Sequence, residues 1–459
     1  MTKALILLLF LLPASVMWLS CGGYSSPSSG GGVTGPKYRA FVTNNVSSGS
    51  GAAGVYIVDA ATDVRAIAST ISVGNTPGMM VLTPNRAQTL VFSGNGTPFS
   101  DNQFSIVNNT SDAVASHLTL PGKTDSFVVS PDSSTAYVAV PTAPVVGQSP
   151  GIVDAISLNS GSVTGQVAVP SVHYLSIDNS GNRILGFSDN SNAVAVVTPS
   201  SIGNGNAVTS VGGFDRPVSA FFSSDDSIAY VLNCGAECGG QQASIQQLSL
   251  TDNTLVGTAV PICTPDKTQC AGTVFLVSGS TMYIAGTPFS PGGGPSLLCS
   301  TGTTATQATY CGLLTTFDLS TMTATNSAPI VITDGYHNRM AMADNGQLFI
   351  GARTCTEIST TETRGCLSIY NTLPTTTVGS VPPGGVLIPP QNGDVTGIQP
   401  VAKRTVAYVI QGQGVPLGGS LFIYDATTDA LENNPNDPNN PGHINGLVGN
   451  FFDVKTIDF

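Results

Sequence analysis

The feature that most constrains this chain is a strand-rich unit that returns about every fifty residues. From Asn102 to Thr142, apolar and polar residues alternate in four short runs, Phe104-Val107, Val114-Leu120, Phe127-Ser130 and Ala136-Val140. Alternation of period two is the mark of half-buried strands. Turn formers separate the runs: Asn108-Asn109-Thr110, Pro121-Gly122 and Ser130-Pro131-Asp132-Ser133. The corresponding third strands begin near Gly54, Asn102, Gly151, Asn192, Ala243, Gly312, Gly365 and Gly419, at intervals of 48, 49, 41, 51, 69, 53 and 54 residues. A chain of 459 residues built this way grows by adding units, so a single repeat domain is expected in place of two or three unrelated ones.

A period of this size made only of strands predicts an all-β chain, a β-propeller of four-stranded antiparallel blades. The count is eight blades, with seven as the alternative. A lone second strand at Tyr38 to Thr43 and a lone inner strand at Asp453 to Ile457 would together complete one blade and close the ring without free edges. In this phase the first two runs of Asn102 to Thr142 end one blade and the last two begin the next. Asp, Asn, Ser and Gly fill the turns because they tolerate tight backbone geometry and bond their own main chain.

The same residues resemble the YVTN-type β-propeller repeat proteins, whose units carry a Tyr-Val-Ala/Thr-Asn strand end and a Ser-Pro-Asp-Gly turn. The matching pieces are Phe41-Val42-Thr43-Asn44, Val73-Gly74-Asn75-Thr76-Pro77, Ser130-Pro131-Asp132, Tyr137-Val138-Ala139 and Tyr230-Val231-Leu232-Asn233. The resemblance covers roughly residues 38 to 459. It implies a fold, and leaves function open among lactonase-like enzymes, cell-surface proteins and binding modules.

Residues 1–20 read as an export signal: Lys3, then an apolar run from Ala4 to Leu12 too short to span a bilayer, then Pro13 and small residues. The tail Trp18-Leu19-Ser20-Cys21-Gly22-Gly23 resembles a bacterial lipobox in its Ser20-Cys21 pair, while Trp18 and Leu19 depart from the usual residues. Lipidation of Cys21 is the expectation, with an ordinary signal peptide cut nearby as the alternative. Residues 21–36 are then a lipid-anchored Gly/Ser-rich linker, and residues 37–459 the propeller. Nine cysteines are odd, and assigning Cys21 to lipid leaves eight in four local pairs, Cys234/Cys238, Cys263/Cys270, Cys299/Cys311 and Cys355/Cys366. Disulfides closing loops this short would each stabilise the fold by roughly 2–3 kcal/mol in an oxidising compartment. The address expected is the bacterial cell envelope, anchored to a membrane through lipid and facing periplasm or exterior.

Only 9% of residues are charged, and the formal net charge is −12. An acidic chain without a Lys/Arg cluster repels phosphate backbones, so nucleic acid is excluded as a partner. No cofactor is expected. Asn436, Asp437 and Asn439 offer oxygen atoms to calcium but lack the spacing of a calcium loop, and read as a solvated loop. A monomer is expected.

The connections from second to third strands, and from fourth strands to the next blade, fall on one propeller face. All four cysteine pairs lie in them, and a face elaborated this way is where a rigid scaffold displays binding residues. The starts of inner strands on that face bring Lys123, Asp125, His173, Asp215, Arg216, Asp334, His337, Arg339 and Asp394 toward the channel mouth. Carboxylates beside His and Arg suit a polar ligand or acid/base chemistry. The competing reading is that each side chain hydrogen-bonds a neighbouring blade. No nucleophile elbow, phosphate loop or His-Glu-x-x-His motif is present. The leading expectation is a non-enzymatic envelope-anchored module binding a protein or glycan. A lactonase-like hydrolase and a structural surface protein are the alternatives.

Overall fold

The computed structural model describes residues 38–458 except 46–51, 67–69, 95–100, 267, 300–308, 356–365, 392, 413–418, 433–441, 445–446 and 448. The expected signal, linker, Cys21, and Asn436, Asp437 and Asn439 lie outside the described residues. The rest is all-β, with seven sheets of four or more strands arranged like propeller blades. Five are four-stranded, spanning 77–119 (blade 1), 127–168 (blade 2), 172–212 (blade 3), 217–261 (blade 4) and 336–387 (blade 6). Blade 5, 274–332, has five strands. The eight-stranded sheet contains two blade-sized sets, 394–431 (blade 7) and a terminal set in which Phe451–Thr456 precedes the strands of 39–65 (blade 8). A single pair, Gly419 opposite Phe451, joins those two sets.

In blade 8 the last strand of the chain pairs antiparallel with the first, Ala40 opposite Thr456 and Val42 opposite Val454. Arg39 clamps the junction: its Nε donates to Asp458 Oδ2 at 2.7 Å, its Nη2 meets Asp458 Oδ1 at 2.6 Å and its Nη1 meets Asp112 of blade 1. Blade 8 also reaches blade 1 from inside, where the Met80 amide donates to Asp453 Oδ2 at 2.8 Å.

Burial follows position in the blade. The runs Phe104 to Val107 and Ala136 to Val140, expected to alternate, are buried at every residue, whereas Ala113–Thr119 alternates exposed and half-buried side chains. Second and third strands are sandwiched between two neighbouring blades, so both their faces are core; the outermost strand meets water, and the innermost strand meets the central cavity. Eight apolar cores result, one at each junction between successive blades, such as Leu90, Phe104, Phe127 and Val138 between blades 1 and 2.

The stretch Asn102 to Thr142 divides as the phase argument requires. Gln103–Asn108 and Ala113–Thr119 end blade 1, and Phe127–Val129 and Thr135–Val140 begin blade 2. Its Ser-Pro-Asp-Ser turn is one copy of a repeated device. Ser130 Oγ donates to Asp132 Oδ1 at 2.5 Å, the Ser134 amide donates to the same oxygen at 3.0 Å, and Ser133 takes φ 61°. Thr83, Asn85 and Arg86 repeat it, as do Ser223, Asp225 and Asp226. A hydroxyl and an Asx side chain here satisfy the amides that the turn leaves unpaired.

On the opposite face, Cys234–Cys238, Cys263–Cys270 and Cys355–Cys366 are disulfide-bonded. Cys311 is also disulfide-bonded, and the side chain of its expected partner Cys299 lies outside the described residues. Each of the three bridges sits in a second-to-third or fourth-to-first connection, so they share a face.

Candidate functional site

The inner strands are irregular where they start, and that irregularity builds the site. In Val172–Ile177 the register slips between Val172 and Tyr174, leaving His173 outside the ladder. The same slip leaves out Val218 in Pro217–Phe222, Asn338 in Tyr336–Met342 and Thr396 in Asp394–Pro400. A bulge bends its strand and re-aims one side chain. Bulged His173, Val218 and Asn338 all line the central cavity, while the residues just before them, Val172, Pro217 and His337, are buried.

The cavity has a volume of about 460 Å³ and is lined chiefly by residues of the inner strands and the segments that lead into them. Its polar lining includes Asp125, His173, Tyr174, Tyr336, Arg339 and Arg353, and Phe275 and Phe452 contribute apolar wall. A smaller cavity of about 290 Å³ shares Tyr174, Val218 and Tyr336 with it and carries Asp189, Arg216 and Glu237.

His173 is held between two carboxylates. Its Nδ1 lies 2.8 Å from Asp189 Oδ2 and its Nε2 lies 3.0 Å from Asp125 Oδ2. The hydrogen bond to Asp125, reinforced by Asp189, raises the imidazole to about 9 against the opposing effect of burial. The reciprocal bond lowers the Asp125 carboxyl. At neutral pH His173 is therefore an imidazolium with both N–H groups donating. It has no lone pair with which to act as a base unless a carboxylate leaves.

The other residues expected at the mouth divide sharply. Arg339 lines the cavity and donates from Nε to Thr396 O at 2.9 Å and from Nη1 to Asn338 O at 3.1 Å. Arg216 takes φ 57° and lines the smaller cavity. Asp215 instead accepts the amides of Gln241 at 2.9 Å and Gln242 at 2.7 Å, pinning the chain just after the Cys234–Cys238 bridge. Asp394 accepts the Thr354 amide at 2.7 Å. Lys123 is exposed and does not line the cavity. Asp334 is buried, and His337 is 0% exposed.

His337 thus does not face the mouth. Its Nε2–H donates to Thr333 O at 2.9 Å, its Nδ1 has no partner, and burial pushes it down to about 4, so it is a neutral core histidine. The reason is the bulge: counting from the strand start places His337 level with His173, but the slip in blade 6 comes one residue later.

Five further residues of the two cavities were not singled out by the sequence. Asp189 sits in the tight turn after Ile184–Ser188 and reads as a turn former. Arg353 ends a buried second strand, Gln347–Arg353, two residues before Cys355; its place on the disulfide-bearing face was the available signal. Tyr174 and Tyr336 begin inner strands and hydrogen-bond each other through their side chains, and burial raises both phenols. Glu237 lies inside the Cys234–Cys238 loop, where its Oε2 accepts the Thr287 amide at 2.8 Å and burial pushes the carboxyl up to about 8. A neutral carboxyl there resembles an amide in its hydrogen bonding.

No family model and no curated protein matches the chain. Solved structures do. The chain is similar to the dihydro-heme d1 dehydrogenase NirN in complex with DHE, at 12% identity and TM-score 0.56 over 92% of this chain and 75% of that one. It is similar to the Kuenenia stuttgartiensis hydrazine synthase at 13% identity and TM-score 0.47, over 66% and 80% of the two chains. It is also similar to the β-propeller domain of Myceliophteria thermophila Cps50 (Swd1), at 8% identity and TM-score 0.46, over 75% and 95%. At such identities the likeness is one of fold, and the fold is a β-propeller.

Proposed function

We propose that this protein is an envelope-anchored binding module that takes a protein or glycan ligand on its disulfide-bearing face, with the channel mouth as the point of recognition. The observation that carries this reading is the double engagement of His173 by Asp125 and Asp189. A hydrolase needs a base with a free lone pair or an activated nucleophile. The best-placed histidine supplies neither, and instead cross-links the starts of blades 2 and 3 into a rigid charged rim. Preorganised polar groups around an apolar-walled cavity are what ligand recognition uses.

The lipid anchor belongs to the same proposal. Disulfides persist in oxidising compartments, and three of them on one face support an exported protein. Mass spectrometry of the mature protein from its bacterial membrane fraction is expected to find lipidated Cys21 as the first residue.

The binding reading is tested by screening the purified protein on glycan and peptide arrays, with a parallel assay of lactone hydrolysis. The expected result is saturable capture without turnover, weakened about tenfold or more in His173→Gln. Lactone turnover that disappears in His173→Gln would overturn it in favour of the hydrolase.

A further inference from the structure

Two arginines of this fold are paired with carboxylates. Arg39 is paired with Asp112 and Asp458, and Arg404 with Asp63 at 2.7 Å and Glu432 at 3.8 Å. Each closes a seam between blades. In a chain with 15 Lys and Arg against 27 Asp and Glu, Arg216 and Arg353 nevertheless line cavities with a buried Nε that has no hydrogen-bond partner.

Arg353 is the one of these in the central cavity. It lines the central cavity, its Nε is buried without a hydrogen-bond partner, and no ion pair joins its guanidinium to a carboxylate among the described residues. Its Cζ lies 5.8 Å from the centroid of Phe452, a side chain of the same cavity wall. Arg339 shares the cavity and donates from Nε and Nη1 to the carbonyls of Thr396 and Asn338, neutral groups that leave its charge without a counter-ion. The two guanidinia feel each other: burial and then the charge of Arg339 lower the proton affinity of Arg353, against the attraction of Asp125 and Asp394, neither of which forms an ion pair with it. The one carboxylate in the lining, Asp125, is committed to His173.

Withdrawing a cation from water without a partner is unfavourable unless something supplies the opposite charge. A guanidinium presents paired donors whose spacing matches the two oxygens of a carboxylate, phosphate or sulfate group. We propose that the central cavity binds an oxyanion-bearing ligand, whose anionic group sits against Arg353 and Arg339 with the hydroxyls of Tyr174 and Tyr336 at the same mouth. This rests on the binding reading above and narrows it: the ligand is acidic, and its charged group is what enters the channel.

The test is calorimetric titration of the full mature chain with glucuronate, glucose 6-phosphate, inorganic sulfate and, as the neutral control, glucose. A 1:1 isotherm with glucuronate or with glucose 6-phosphate, and none with glucose, is expected, and the better of the two assigns carboxylate or phosphate. Sulfate should compete. Arg353→Gln should weaken the tighter probe by roughly tenfold to a hundredfold, the range for a charge-assisted bidentate contact. Should Arg353→Gln unfold, Arg353→Lys keeps the charge, loses the fork and should still weaken binding about tenfold. Absence of any anion isotherm overturns the proposal, as does equal binding of glucose, or full affinity in Arg353→Lys together with Arg353→Gln. Capture of neutral glycans alone would overturn the anion site and leave the binding reading standing, whereas lactone turnover would overturn the binding reading whatever Arg353 does.

Discussion

His173 and His337 are each the second residue of an inner strand, yet one faces the channel and the other is sealed in the core. In blade 3 the bulge falls on His173, and the residue packed between blades is Val172, 0% exposed. In blade 6 the bulge falls on Asn338, and the packed residue is His337. Side chains alternate with period two along a strand, so one residue of slip exchanges the two faces. What decides a side chain's role here is its distance from the bulge, and its distance from the start of the strand is uninformative.

The largest effect should separate the two histidines by stability. His337→Ala removes a fully buried ring and the donor to Thr333 O, and is expected to destabilise the fold by about 2–4 kcal/mol in urea denaturation while leaving ligand affinity unchanged. His173→Ala should lose about 1 kcal/mol and most of the affinity. If the two variants lose stability equally, the assignment of one to the core and one to the rim breaks down.

Acidity should then pull them in opposite directions. His173 is raised to about 9 from an unfolded value of 6.5, so the folded state holds the extra proton between those limits. Its contribution is fully present below pH 6.5 and is lost as pH rises toward 9. Asp125 and Asp189 are 61% and 56% exposed, so solvent screening reduces that contribution to roughly 1–2 kcal/mol. His337 is depressed to about 4, so its contribution is present above pH 6.5 and is lost as pH falls toward 4. Denaturant midpoints from pH 4 to 9 should show His173→Gln flattening the alkaline limb and His337→Gln the acid limb. A wild-type alkaline limb that survives His173→Gln would assign it instead to Glu237, whose carboxyl, raised to about 8, also gives up its proton there.

How much of this was legible follows from the same bulges. The blade period, the turn device at Ser130 to Ser134 and the sharing of one face by the disulfides all depend on residue type and spacing, which the chain displays directly. Asp125, His173 and Arg339 could be placed at the mouth because the start of an inner strand must approach the channel. His337 was misplaced because nothing in Tyr336-His337-Asn338-Arg339 reveals that the slip comes after the histidine. Asp189 was hidden for a different reason: an Asp in a two-residue turn satisfies every local rule for a turn former, and only the register of the first two strands of blade 3, with Val172 opposite Ser188, brings it to His173. Arg353 was hidden because a second strand buried on both faces gives no periodic signal to mark which of its residues emerges at the end.

The smallest effect tests whether the rim carboxylates act on His173 unequally. Asp125 approaches Nε2 at 3.0 Å and Asp189 approaches Nδ1 at 2.8 Å, and by length alone Asp189 is the stronger partner. The rise of His173 is nevertheless governed first by Asp125, which arrives from blade 2, whereas Asp189 belongs to blade 3, the blade of His173 itself. Asp125→Asn should therefore lower the imidazole more than Asp189→Asn, each changing stability by no more than about 1 kcal/mol because both carboxylates are more than half exposed. Nitrogen-15 shifts of the imidazole followed through a pH titration would read this directly. With both carboxylates replaced, burial is the remaining effect and acts downward, so His173 should titrate at or below its ordinary value and come to resemble His337. If the double variant still titrates near 9, the charge on the rim comes from elsewhere in the propeller, and the contrast between the two histidines would reflect the field of the whole molecule more than the slip of one residue.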